Sequence, residues 1–173
     1  MRTTFGRVFL GLGVLIATAP AFGKIATQDQ EVLRRIHLTN QLEIKLGHLA
    51  QKRAGSEYVK QYGRDLVADH EAADKKVLEA AAKEKVIATN PIPAVDKPAE
   101  AKEAEVMKAL ENKEGAAFDQ AFTAEMAKAH GDTIAFLTAK EQELKGSPTA
   151  DLIAQILPTL HKHKDTAGRV GTY

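Results

Sequence analysis

Six histidines, at positions 37, 48, 70, 130, 161 and 163, carry most of the chemistry this chain can do, because it has no cysteine. Neutral imidazole binds zinc, copper, iron or manganese, and it exchanges protons near neutral pH. The closest pair sits in "LPTLHKHKDTA", where His161 and His163 are two apart. On a helix they diverge by about 200°, so only one can face inward. Nucleophilic and phosphate-binding signatures are missing: the sequence has no G-x-S-x-G, no phosphate-cradling glycine loop and no H-E-x-x-H.

The elements that must position these residues are helices. "TQDQEVLRRIHLTNQLEIKLGHLAQKRAG" repeats Val32, Ile36, Thr39, Glu43, Leu46 and Ala50 at alternating steps of three and four. Gly55 stands where a helix ends, and Ser56 offers an N-cap to a second helix carrying Val59, Tyr62, Leu66, Ala73, Val77 and Ala80 on one stripe. So short a junction makes the two antiparallel neighbours. The pattern fails across "IATNPIPAVDKP", then resumes as a short helix that the spacing ends at Gly115. A third long helix presents Phe118, Phe122, Met126, Phe136 and Leu137. The run "KGSPTADL" stops it and starts a fourth, which reaches Val170 with Pro158 inside it. The predicted fold is all-α: a ferritin-like four-helix bundle of two antiparallel hairpins, joined by a long crossover with a short extra helix. An up-down bundle with a loose third connection is the alternative.

On these helices His163 falls about 20° from Ile156, in the middle of the fourth stripe, whereas His161 falls about 140° from it and is solvated. Glu43 lies about 20° from Ile36, with His37 and His48 about 100° and 120° off that stripe. His70 lies about 40° from Leu66, with Asp69 on its flank; His130 is the edge case, about 80° from Phe122. Counted from the hairpin turns at 1.5 Å per residue, Glu43 and His70 lie about 18 and 22 Å along their helices, and His130 and His163 about 26 and 24 Å. In helices about 40 Å long, all four meet near mid-height.

Glu43, His70, His130 and His163 therefore form the candidate metal site. Its N₃O donor set suits one transition-metal ion such as zinc, iron, copper or manganese. The competing reading is a metal-free structural or interaction protein whose buried polar cluster fixes helix register. No catalytic residue is assigned. Ferritin-type di-iron oxidation is disfavoured, because Val67, Ala127 and Leu160 stand where Glu-x-x-His would need glutamate. Asp69, Asp119 and Glu125 are the further oxygen donors near the cluster.

The N-terminal run "MRTTFGRVFLGLGVLIATAPAFGK" reads as a signal peptide over residues 1–23, cut near 21–23 and leaving a helical-bundle domain over 24–173. Its apolar stretch is shorter than the roughly 20 residues a spanning helix needs, and no integral span is expected after cleavage. The expected location is the periplasm or another exported compartment. The leader holds two of the 24 basic residues and none of the 23 acidic ones, so the remainder is nearly neutral and gives no electrostatic case for nucleic acid. Protein partners and oligomeric state stay open at this level.

Four stretches, "QLEIKLGHLAQKRA", "DLVADHEAADKKVLEAAAKE", "GAAFDQAFTAEMAKAHGDTIAFL" and "LPTLHKHKDTA", together resemble the bacterial exported family known as "domain of unknown function 4142". Its specific elements are the Asp69–His70 and Phe118–Asp119 pairs, His130, and the L-P-T-L-x-x-H ending at His163. The resemblance spans about Gln28 to Ala167 and includes Glu43. It implies a ferritin-like envelope protein and no particular activity.

Overall fold

The structure, a computed structural model, describes residues 22–85 and 97–171; the expected leader lies outside them apart from its last two residues. Five helices follow one another: α1 Phe22–Arg53, α2 Glu57–Lys83, α3 Lys97–Glu111, α4 Gly115–Glu143 and α5 Pro148–Val170. No strand occurs among the described residues, and none of their helices is long and apolar enough to cross a membrane.

Local chemistry sets the boundaries. Ser56 caps α2 by accepting from the Tyr58 amide, and Ser147 caps α5 by accepting from the Ala150 amide, just before Pro148. Asp119 on α4 reinforces the first turn by accepting from the Gly55 and Ser56 amides at 3.1 and 2.8 Å. This places Asp119 at the end of the bundle, bonded to the backbone of the α1–α2 turn. The short helix α3 stops at Glu111, and Gly115, with φ 59°, opens α4 where the sequence pattern had it close α3. The helix α5 continues through Pro158, which is exposed, as is Ala154, whose carbonyl loses its usual donor.

The hairpins α1–α2 and α4–α5 pack side by side, α2 against α5 and α1 against α4. The start of α2 meets the end of α5, since the Tyr62 hydroxyl donates to the His163 carbonyl at 3.1 Å. The end of α1 meets the start of α4, since Ala54 pairs with Gly115. Every neighbouring pair of the four long helices is thus antiparallel, and α2 and α4 are parallel. The chain between them must return along the bundle, and α3 covers the last part of that return, burying Leu110. The helix α3 belongs to the long crossover expected here, and nearly all of the proline-rich stretch that was to open it lies outside the described residues.

Within the first hairpin the backbones nearly touch. A Cβ on Gly63 would meet the Gly47 carbonyl at 2.7 Å, and one on Gly47 would meet the Gly63 carbonyl at 2.6 Å. Glycine is needed at both for the approach.

The core falls into two apolar clusters. One, toward the α4–α5 turn, holds Leu33, Ile36, Val77, Leu137 and Ile153. The other, toward the α1–α2 turn, holds Leu46, Tyr62, Leu66, Phe118 and Phe122. Between them lies a buried polar layer.

Candidate metal centre

The polar layer brings three of the four predicted residues together. One ligand nitrogen from each of His70, His130 and His163 lies within 4.8 Å of the others. The ring centroids are 5.9, 5.2 and 5.3 Å apart, and each histidine is at most 3% exposed. His161 is exposed, as its angle required. His48 is exposed too, and His37 is half-buried.

His130, the edge case by angle, is 1% exposed. The buried row of α4 runs Phe118, Phe122, Met126, His130, in steps of four. Such a row drifts about 40° per step around the helix and follows the ridge that packs into a neighbour. An angle measured from Phe122 alone misses that drift.

Each ring has an outer nitrogen tied to an acceptor. His70 Nδ1 donates to Asn40 Oδ1, His130 Nδ1 to the Met126 carbonyl, and His163 Nε2 to Asp69 Oδ2, all at 2.9 Å. An amide oxygen, a carbonyl and a carboxylate only accept, so these bonds fix the ring proton on the outer nitrogen. A neutral imidazole then has its lone pair on the other one. Those others, His70 Nε2, His130 Nε2 and His163 Nδ1, are buried and have no hydrogen-bond partner. An outer acceptor that orients the ring while the inner nitrogen stays bare is how proteins present histidine to a metal.

Burial reinforces the neutral state. It pushes His70 down to about 3, helped by the nearby His163 and His130, and His130 down to about 4 against the pull of the Met126 carbonyl. Burial also lowers His163, although its bond to Asp69 opposes the shift. For Asp69 itself partial burial pushes upward, but the His163 hydrogen bond and the Lys162 charge outweigh it and hold the carboxyl below its usual range. At neutral pH the triad is three lone pairs and no charge.

Glu43 stands outside that three-histidine group. It is 4% exposed, its Oε2 is unpartnered, and burial together with the Glu125 charge pushes its carboxyl up to about 8. One turn earlier on α1, Asn40 makes the direct contact to the triad. Asn40 was legible as a polar residue about 40° from Ile36, but its amide does not titrate, and a search for inward ionisable groups passes over it. Burial and the Glu43 charge also raise the Tyr62 hydroxyl.

No curated protein matches this chain, and no solved structure does. The family model described as "Domain of unknown function (DUF4142)" matches residues 16–170, a span that takes in Glu43, Asn40 and the whole triad. The chain belongs to the DUF4142 family.

Proposed function

We propose that this protein is an exported, ferritin-like bundle that binds one transition-metal ion in its mid-height layer and serves metal handling in the cell envelope. The observation that carries the reading is the trio of buried histidines on α2, α4 and α5 that bring ligand nitrogens within 4.8 Å of one another, each ring having one nitrogen held by an acceptor and the other unpartnered. Leaving three buried acceptors unsatisfied costs about 1–3 kcal/mol each. A cation at the centre removes that cost for all three together.

Zinc or another borderline ion fits imidazole donors, and magnesium or calcium do not. A tetrahedral ion with nitrogens at 2.0–2.1 Å spaces them about 3.4 Å apart, so small ring movements close the site around it. Glu43, one turn from Asn40 on α1, is the fourth ligand in this reading, its buried Oε2 losing its proton to the ion's field. The three histidines and one glutamate come from four helices, so binding also ties the two hairpins together.

The test is metal content of the purified protein, followed by titration of the chelator-treated protein with cobalt(II) and competition by zinc. One equivalent of cobalt with the visible bands of a four-coordinate site is expected, lost in His70→Ala/His163→Ala and weakened in Glu43→Gln. A folded protein that ignores cobalt, zinc, copper, iron and manganese would make the layer a register device instead. Export is tested by expressing the full chain in a Gram-negative host, where a periplasmic product beginning near residues 22–24 is expected.

A further inference from the structure

Above the triad, on the side of the α4–α5 turn, lies a cavity of about 250 Å³, open to solvent on one side and lined by all four long helices. An apolar cavity of about 150 Å³ already accepts benzene, so this one holds a ring with substituents. Its walls include Ile36, Phe136, Leu137 and Ile156, and its inner end is formed by His70 and Asn40.

Two cations, Arg35 and Lys76, also line it. They lie 20 residues before and 21 residues after Gly55, on the antiparallel helices α1 and α2, and so stand at one level. The Arg35 guanidinium is seated 3.9 Å above the Phe136 ring, which holds it against the cavity wall. The one anion in the lining, Asp69, is already bonded to His163 and Lys162. The walls therefore carry a net single positive charge, which suits a monoanion better than a phosphate dianion.

At the inner end, Asn40 gives its oxygen to His70, and its Nδ2 is buried with no acceptor. Asn40 lies five residues from Arg35, or about 7.5 Å along the helix axis. A flat acid with a second oxygen across its ring spans that distance.

We infer that this cavity is a binding site for a small aromatic or similarly compact monocarboxylate. Its carboxylate lies between Arg35 and Lys76, its apolar body against Phe136 and Ile156, and a far-end oxygen accepts from Asn40 Nδ2. The site goes beyond the metal reading and uses none of the triad's inner nitrogens.

The probes are 4-hydroxybenzoate, benzoate and phenol, titrated calorimetrically into the chelator-treated protein, so that a failure of the metal reading leaves the outcome unaffected. Expected are saturable binding of 4-hydroxybenzoate, several-fold weaker binding of benzoate, and phenol weaker still. Arg35→Gln/Lys76→Gln, both exposed and replaceable without disturbing the core, should weaken 4-hydroxybenzoate at least 10-fold, and Lys108→Gln on α3 should not change it. The inference is overturned by no binding of either acid, by phenol binding as well as benzoate, or by an unchanged affinity in the double variant. A repeat on the zinc-loaded protein guards against simple ligation: acids that bind only with zinc present, whatever stands at 35 and 76, overturn it too.

Discussion

Two histidine–carboxylate pairs bridge neighbouring helices among the described residues, and they behave differently. His37 on α1 bonds Asp74 on α2 at 2.7 Å, and Gln41 donates to the other oxygen of Asp74 at 2.8 Å. His163 on α5 bonds Asp69 on α2 at 2.9 Å. In the first pair Asp74 is buried and His37 half-buried, and no nitrogen of His37 is left buried and unpartnered. The second belongs to a ring of three histidines whose inner nitrogens are all bare. A histidine–carboxylate bond is therefore not in itself a sign of function. What distinguishes the second pair is where the remaining nitrogen points and what meets it there.

The largest effect that could break this contrast is removal of a ring. His163→Ala takes one of three nitrogens from the ion, and cobalt affinity is expected to fall at least about 100-fold by competitive titration. His37→Ala, on the other pair, should leave that affinity within about twofold. Comparable losses in both would place the two histidines in one network and dissolve the distinction. The carboxylates sharpen it. Asp69→Asn keeps the shape but weakens the hold on His163, and outer partners of this kind are worth about 10- to 100-fold in metal affinity. Asp74→Asn should not register in the same titration.

Acid separates the pairs again, in the metal-free protein. The triad histidines have folded values below the unfolded 6.5, about 3 for His70 and about 4 for His130. The unfolded chain then takes up protons that the folded one refuses, so their contribution is complete above pH 6.5 and is lost as pH falls toward 4. Glu43 has the opposite sign: its folded value of about 8 exceeds 4.5, so its contribution is complete below 4.5 and lost as pH rises through 8. Between 4.5 and 6.5 the two oppose, with the histidines in the majority. A net loss on the order of 1 kcal/mol per pH unit on acidification is expected from denaturant midpoints. In Glu43→Gln the stability should no longer decline between pH 6.5 and 8. A bound ion should hold the histidines unprotonated and flatten the acid limb.

The bundle and its polar layer were legible because both rest on periodicity. The stripes of Val32, Ile36 and Leu46, or of Ile153, Ile156 and Leu160, repeat at helical spacing, and His70 and His163 sit inside stripes of that kind. The short junctions at Gly55 and Gly146 fix antiparallel neighbours, and residue counts from them give the common height. What stayed hidden depends on how helices approach one another. Asn40 and Asp69 became partners of His70 and His163 only once α1 and α5 were placed against α2. Asp119 resembles a site residue by its neighbours in sequence, yet it accepts from the Gly55 and Ser56 amides of the α1–α2 turn, because the end of α1 meets the start of α4. The cavity beside Asn40 has no sequence signature at all, being space left by four helices together.

The smallest effect tests whether the lone pair is merely structural. Asp74 is 6% exposed and satisfies two side chains of α1. In Asp74→Asn one amide oxygen still accepts, but the other position becomes a donor facing the Gln41 amide or the His37 ring. One good hydrogen bond is lost, and a stability decrease of about 1 kcal/mol is expected from urea denaturation. The same helices are already held by the contact of Gly47 with Gly63 and by the apolar seam around Leu46 and Leu66, so the hairpin should stay in register. That predicts an unchanged dependence of stability on urea concentration and an unchanged cobalt spectrum. A change in the cobalt spectrum would mean that the α1–α2 register, set partly by Asp74, positions Asn40 and through it His70. The two pairs would then be successive links in one support for the triad.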